Sequence, residues 1–217
     1  MAINYLHHQT GGVCYQDPAE MSHQIIQAAK NSGISMTHLP VLYTYAGFGD
    51  KPASQNQARF THATEDYLRL IETLHKQYSG DKNFKLGIAP HSLRAVNEKQ
   101  LKEVVPFIRK LSKDSPIHIH ISEQLQEVND CVKYNQARPV EWLLEHFDVD
   151  IHWCLIHATH LSKNEVSDIV RSGAVVGICP TTEANLGDGI FPTTEFLAEK
   201  GTFAIGSDSH ISVNPVE

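Results

Sequence analysis

Short apolar runs that each end in a histidine or an acid constrain this 217-residue chain more than any other feature. Ile117-His118-Ile119-His120-Ile121-Ser122-Glu123 sets a histidine and a carboxylate at the exit of one such run, and Leu155-Ile156-His157 and Ala204-Ile205-Gly206-Ser207-Asp208 repeat the arrangement. Runs of this length and composition read as buried strands. Between them lie stretches with helical spacing, such as Tyr67, Leu70, Ile71 and Leu74, or Leu101, Val104, Val105, Ile108 and Leu111. Strand alternating with helix is the pattern of parallel βαβ units. In a closed β/α barrel, side chains at the C-terminal ends of different strands meet at one mouth. Imidazole and carboxylate gathered there suit zinc or a similar divalent ion.

The expected strands are residues 3–8, 35–42, 84–89, 117–121, 153–156, 174–178 and 203–205, seven in all. Helices are expected over 18–31, stopped by Asn31-Ser32-Gly33, then over 63–78, from an Asn97 cap to Leu111 with a kink at Pro106, and over 124–134, 139–147, 163–172 and 192–200. The polar stretch from Thr44 to Thr61 is longer than an ordinary connection and reads as a loop covering or lining a mouth. A closed barrel has eight strands and about 250 residues. The expected fold is therefore α/β, a (β/α)8 TIM barrel of the metal-dependent hydrolase type that is one unit short, with residues 1–217 as a single partial catalytic domain ending at Asn214-Pro215-Val216-Glu217.

A net charge of -7 argues against nucleic acid as a partner, because phosphate binding needs clustered Lys and Arg. No run of about 18 apolar residues suggests a membrane span, and Met1-Ala2-Ile3-Asn4-Tyr5 lacks the character of an export signal, so the chain reads as cytoplasmic. Cys14, Cys131, Cys154 and Cys179 show no CxxC pairing and read as buried reduced thiols. His23, His38, His62, His75 and His146 have no partners at ligand spacing and read as surface or locally bonded groups.

Among the strand-end groups, alternation puts His118 and His120 on one face, so spacing does not choose between them. Glu123 can reach the same mouth and relay protons; its bland alternative is a carboxylate at a helix N-terminus. His157 and Asp208 each end a strand, and Asp208 could bind metal and take a proton from a water acidified by the ion, against the alternative of a turn aspartate. His91 and Arg94 follow the 84–89 strand, where a guanidinium suits bidentate capture of a carboxylate or simply leads a helix at the surface.

Taken together, Pro90-His91-Ser92-Leu93-Arg94, His118 to Gln124, Leu155 to His160, Cys179 to Gly189 and Gly206 to His210 resemble the amidohydrolase superfamily, and within it the formimidoylglutamate deiminases, in order and over essentially the whole chain. The resemblance implies deimination of N-formimidoyl-L-glutamate to N-formyl-L-glutamate and ammonia in histidine degradation. It implies one zinc held by His120 and Asp208, with Asp208 also the general base. Glu123 would shuttle a proton, His157 would steady the developing tetrahedral centre, and His91 and Arg94 would bind the small-molecule substrate, Arg94 at a carboxylate. A homodimeric parent protein is expected. The family draws two further ligands from a His-x-His at the first barrel strand, and no such segment precedes residue 118 here, since His7-His8 is an adjacent pair on what resembles the second strand. The first βα unit is thus expected to be missing, the polypeptide to be a piece of a longer protein, and its own metal affinity and turnover to be weak. Two alternatives stand beside this reading: a related amidohydrolase that deaminates a nucleobase or adenosine-like substrate, and a non-catalytic barrel fragment.

Overall fold

The computed structural model describes residues 2–208. Ser209 and His210 of the last motif, and the terminal Asn214 to Glu217, lie outside the described residues. Elements follow in the order β1 (Ala2–Asn4), α1 (Glu20–Ser32), β2 (Met36–Leu42), β3 (Tyr45–Gly47), β4 (Lys51–Pro52), α2 (Thr64–Tyr78), β5 (Phe84–Leu86), β6 (Ala89–Pro90), α3 (Glu98–Leu111), β7 (Ile117–Ile121), α4 (Leu125–Asn135), α5 (Pro139–His146), β8 (Trp153–His157), α6 (Lys163–Ser172), β9 (Val175–Ile178), α7 (Pro180–Leu186), α8 (Thr193–Ala198) and β10 (Thr202–Ile205). They form two compact units, Met1–His118 and Ile119–Glu217.

In the first unit β2 is the centre of a parallel sheet, pairing with β1, β5 and β6. Leu39, Val41 and Leu42 are fully buried there, and so are Tyr67, Leu70, Ile71 and Leu74 on the apolar face of α2. The continuous strand expected over 84–89 is two strands, β5 and β6, parted at Gly87. The Gly87 amide donates to the His38 carbonyl at 3.0 Å, and the Ile88 amide to that of Pro116 at 3.0 Å. A Cβ on Gly87 would stand 2.3 Å from the Pro116 oxygen, so only glycine permits this approach. The first strand stops at Asn4 rather than running to residue 8: the Asn4 side chain accepts from the Leu6 amide, and the amides of His7 and His8 turn to the Arg59 carbonyl. The stretch 44–61 is not a bare loop. Gly49 and Asp50, at φ 77° and 57°, close a hairpin between β3 and β4, and a 3-10 turn follows at Gln55–Gln57.

Helix ends in this unit follow the local chemistry of the sequence. Gly33, at φ 69°, ends α1 with its amide on the carbonyls of Ala29 and Lys30. Asn97 caps α3 by accepting from the Gln100 amide, while the Gln100 side chain accepts from the Asn97 amide in return. The helix runs on through Pro106. Asn97→Ala removes one half of that box together with the Asn97 bond to the Tyr45 hydroxyl, and is expected to cost about 1 kcal/mol of stability, read as a lowered urea midpoint.

The second unit holds a four-stranded sheet in the order β10-β9-β8-β7, with β9 parallel to both β8 and β10. Every residue of β7 is buried. Ser162 and Glu165 form the capping box of α6, and the buried Glu165 carboxylate also takes the Arg138 guanidinium at 2.7 Å. The short helix α7 was not expected. Pro180 at its first position and Gly187 at its end, φ 71°, account for it. No helix among the described residues is long and apolar enough to cross a membrane.

Cysteine and histidine depart from expectation in part. All four cysteines are free, but Cys14 is exposed and Cys154 only half-buried. Burial pushes the thiols of Cys154 and Cys179 up to about 12, which keeps both protonated. His146 is bonded locally, to the Trp142 carbonyl, whereas His23 on α1 reaches the Tyr78 hydroxyl of α2. His38 and His62 are instead buried: His38 lies inside the apolar run of β2, and His62 packs edge-on against His7 with ring centroids 4.0 Å apart.

Candidate active site

Consecutive strands of the second unit deliver one polar group each to their C-terminal ends. His120 is the penultimate residue of β7, His157 the last of β8, Cys179 the first after β9, and Asp208 follows β10 by three residues. The chain leaves these strands through left-handed backbone at non-glycine residues: Ser122 at φ 51°, His157 at 68°, Ala158 at 50° and Asp208 at 53°. Such conformations are costly and persist where the surroundings over-determine them, as at functional sites. Here the Ala158 amide donates to the Ile121 carbonyl and the His160 amide to that of Ser122, both at 3.0 Å, which ties the exit of β8 to that of β7.

His120, His157 and Asp208 each offer a ligand atom, and these atoms lie within 4.8 Å of one another. The two rings stand 5.5 Å apart between centroids. His120 is the β7 histidine that joins this group, which resolves the choice from His118 that alternation leaves open. His120 and His157 are buried, whereas Asp208 is exposed. Glu123 completes the cluster with its Oε1 3.6 Å from His157 Nε2.

Behind these groups stands a layer of carboxylates whose roles the sequence did not reveal. Glu183, on α7, accepts from the Cys179 amide at 2.7 Å and contacts His157 Nδ1 at 3.1 Å through the same oxygen, Oε1. Glu127, in the first turn of α4, receives the amides of Ser122 and Glu123 on its two oxygens at 3.1 and 3.0 Å, fixing the turn that aims Glu123. Gln124 donates to Asp188 at 2.9 Å, tying that turn to the segment after α7. Burial favours a neutral His157, but the bond to Glu183 and the charges of Glu123 and Asp208 outweigh it, so the imidazole is held above its usual range.

A second group of possible ligands, His157, Cys179 and Glu183, is equally compact. It is better read as a hydrogen-bonded support than as a metal centre. Its thiol stays protonated, and the Glu183 oxygen already serves the Cys179 amide and His157.

His91 and Arg94 belong to the first unit, in the turn that follows β6. Both are half-buried. The His91 amide donates to the Leu42 carbonyl, its Nδ1 lies 2.9 Å from the Ser92 hydroxyl, and Tyr43 and Tyr5 meet its ring edge-on at 4.8 and 5.7 Å. The Tyr43 hydroxyl in turn accepts from Gln57.

Comparison with known proteins gives these features a lineage. The model of the amidohydrolase family matches residues 15–217. The chain is 50% identical over 215 residues to the formimidoylglutamate deiminase of Pseudomonas aeruginosa, a match that covers 99% of this chain and 47% of that protein. An amidohydrolase structure from Brucella melitensis superposes with a TM-score of 0.89 at 48% identity, over 95% of this chain and 45% of its own. A zinc-bound adenosine deaminase from Xanthomonas campestris matches with a TM-score of 0.72 at 26% identity, over 87% of this chain and 40% of its own. The chain thus spans about half the length of the relatives it matches. Its main-sheet strands and intervening helices are α/β of the TIM-barrel type. Matched along nearly its whole length by the family model and by a relative of half-identical sequence, the chain belongs to the amidohydrolase family.

Proposed function

We propose that the protein carrying this sequence hydrolyses a C–N bond of N-formimidoyl-L-glutamate, releasing ammonia and N-formyl-L-glutamate, a step of histidine degradation. The observation that carries the reading is the gathering of His120, His157 and Asp208 at neighbouring strand exits, with Glu123 against His157. The 50% identity to a deiminase of that name supports the choice of substrate. Residues 1–217 act as one catalytic domain in this reading.

Two imidazoles and a carboxylate within 4.8 Å fit one divalent ion of borderline softness. His120 and Asp208 would hold it, as zinc, with further ligands from a His-x-His segment beyond this sequence. When bound, the ion supplies Lewis acidity and brings the pKa of a water towards neutrality. The chain's own groups do the rest. Asp208 takes a proton from the attacking water as its oxygen bonds to the formimidoyl carbon. Glu123 gives a proton to the imino nitrogen, and the carbon becomes tetrahedral. His157, protonated on Nε2 as well as on Nδ1, steadies the charge on the new oxygen. Collapse of that centre breaks the C–N bond as the nitrogen takes a second proton, the one Asp208 received from the water, and leaves as ammonia, while the new hydroxyl becomes the formyl carbonyl and its proton returns to Glu123. Arg94 holds a glutamate carboxylate and His91 lies along the substrate. The protein works in this reading as a cytoplasmic homodimer on a small molecule.

The test is ammonia release from N-formimidoyl-L-glutamate by zinc-loaded protein of the relatives' full length that carries this sequence. Turnover of adenosine-like substrates with none of the formimidoyl compound would favour the second reading, a nucleoside deaminase, for which the adenosine deaminase neighbour speaks. Arg94→Met separates the two further: the deiminase reading expects a loss confined to substrates bearing carboxylates.

A further inference from the structure

We propose that Glu183 is a positioning residue that fixes the tautomer of His157, keeping the proton on Nδ1 and turning Nε2 towards Glu123 and the reacting centre. The role of His157 in hydrolysis rests on the reading above, but the tautomer does not.

The argument starts from Oε1 of Glu183. That oxygen receives the Cys179 amide, a group that can only donate, so it acts as an acceptor there. The same oxygen lies 3.1 Å from His157 Nδ1. An acceptor can pair with Nδ1 only if Nδ1 bears hydrogen, and a neutral imidazole then has its lone pair on Nε2. Glu183 and His157 are both buried, leaving little solvent competition for the bond. The backbone agrees: His157 and Ala158 are held left-handed, so the ring's direction is set from the main chain as well as from its far nitrogen. Cys179, first residue after β9, links the arrangement to the sheet, because its amide anchors the carboxylate that anchors the histidine.

A structural role alone would be stabilisation of the turn into α7 through the Cys179 amide. The tautomer distinguishes the two. In the metal-free chain, at a pH high enough that the His157 ring signals no longer move with pH, long-range ¹H–¹⁵N correlation should show His157 protonated at Nδ1. Glu183→Gln keeps an acceptor oxygen for both donors and should retain that pattern, whereas Glu183→Ala should release the ring to the Nε2–H form that free histidine favours. In the zinc-loaded full-length protein Glu183→Ala should lower kcat about 10²-fold with KM nearly unchanged, and Glu183→Gln should recover part of it. A wild-type His157 protonated at Nε2 overturns the proposal, with no variant needed. So does a Glu183→Ala spectrum identical to wild type. If the wild-type protein releases no ammonia while His157 shows Nδ1–H, the reaction reading fails and the positioning stands.

Discussion

Asp208→Asn is expected to lower ammonia release by about 10³-fold or more and to reduce the zinc retained after gel filtration from one per chain to well below that, as measured by elemental analysis of the full-length protein. The size follows from two roles in one side chain, ligand and base, that the reading assigns to the carboxylate beside His120 and His157. Asparagine is the informative replacement because Asp208 sits at φ 53°, a conformation that asparagine tolerates almost as well as aspartate and alanine does not. The amide keeps the shape and the backbone while removing the charge and the proton affinity. Since Asp208 is exposed, the urea midpoint should move by no more than the equivalent of about 0.5 kcal/mol. Unimpaired turnover with full zinc would remove Asp208 from both roles and with it the core of the proposed mechanism.

How far such a site can be read from sequence depends on which atoms make it. His120, His157 and Asp208 announce themselves because each interrupts or ends an apolar run, and a strand end in a parallel sheet has only one mouth to face. The choice between His118 and His120 is different in kind: both share a face by alternation, and only the position of His157 on the neighbouring strand decides it. Glu183 and Glu127 accept from amides four or five residues upstream, at the starts of their own helices, but the His157 ring nitrogen that Glu183 also meets comes from another element, so the sequence does not mark that contact. A signal for α7 does exist, in Pro180 just after a strand, an acid in the first turn and Gly187 at the end. Taken as helix grammar, it would have brought Glu183 under the strand mouths.

The fold shows the same division. Helix ends at Gly33 and Asn97 were legible because capping is decided within four residues. The break between β5 and β6 was not, because it depends on how closely Pro116 and Leu39 approach Gly87. The hairpin of β3 and β4 lay between these cases. Phe48-Gly49-Asp50 carries a turn signal, but strands of three and two residues leave no apolar alternation to flag them.

Acid should unfold the segment 1–118 well before the carboxylates elsewhere are exhausted. Burial pulls His38 and His62 from 6.5 down to about 4, with His23 adding to the effect at His38, and with His8 adding and Asp66 opposing at His62. His7, buried beside His62, is lowered in the same direction. The unfolded chain therefore takes up these protons near pH 6.5, while the folded chain resists them until about pH 4. Stability is whole above 6.5, falls as pH drops through that window and levels off below it. A drop from 6.5 to about 4 is worth about 3 kcal/mol for each of the two imidazoles, a large share of the 5–15 kcal/mol typical of a folded domain. Hydrogen exchange followed peptide by peptide should show residues 1–118 losing protection between pH 6.5 and 4.5. His38→Leu should remove about a third of that loss, its share among the three buried imidazoles, since neither ring nitrogen of His38 meets a hydrogen-bonding group among the described residues and leucine fills a similar volume in β2. If the variant shows an acid slope as steep as the wild type, the buried imidazoles are not the cause, and the sensitivity belongs to carboxylates instead.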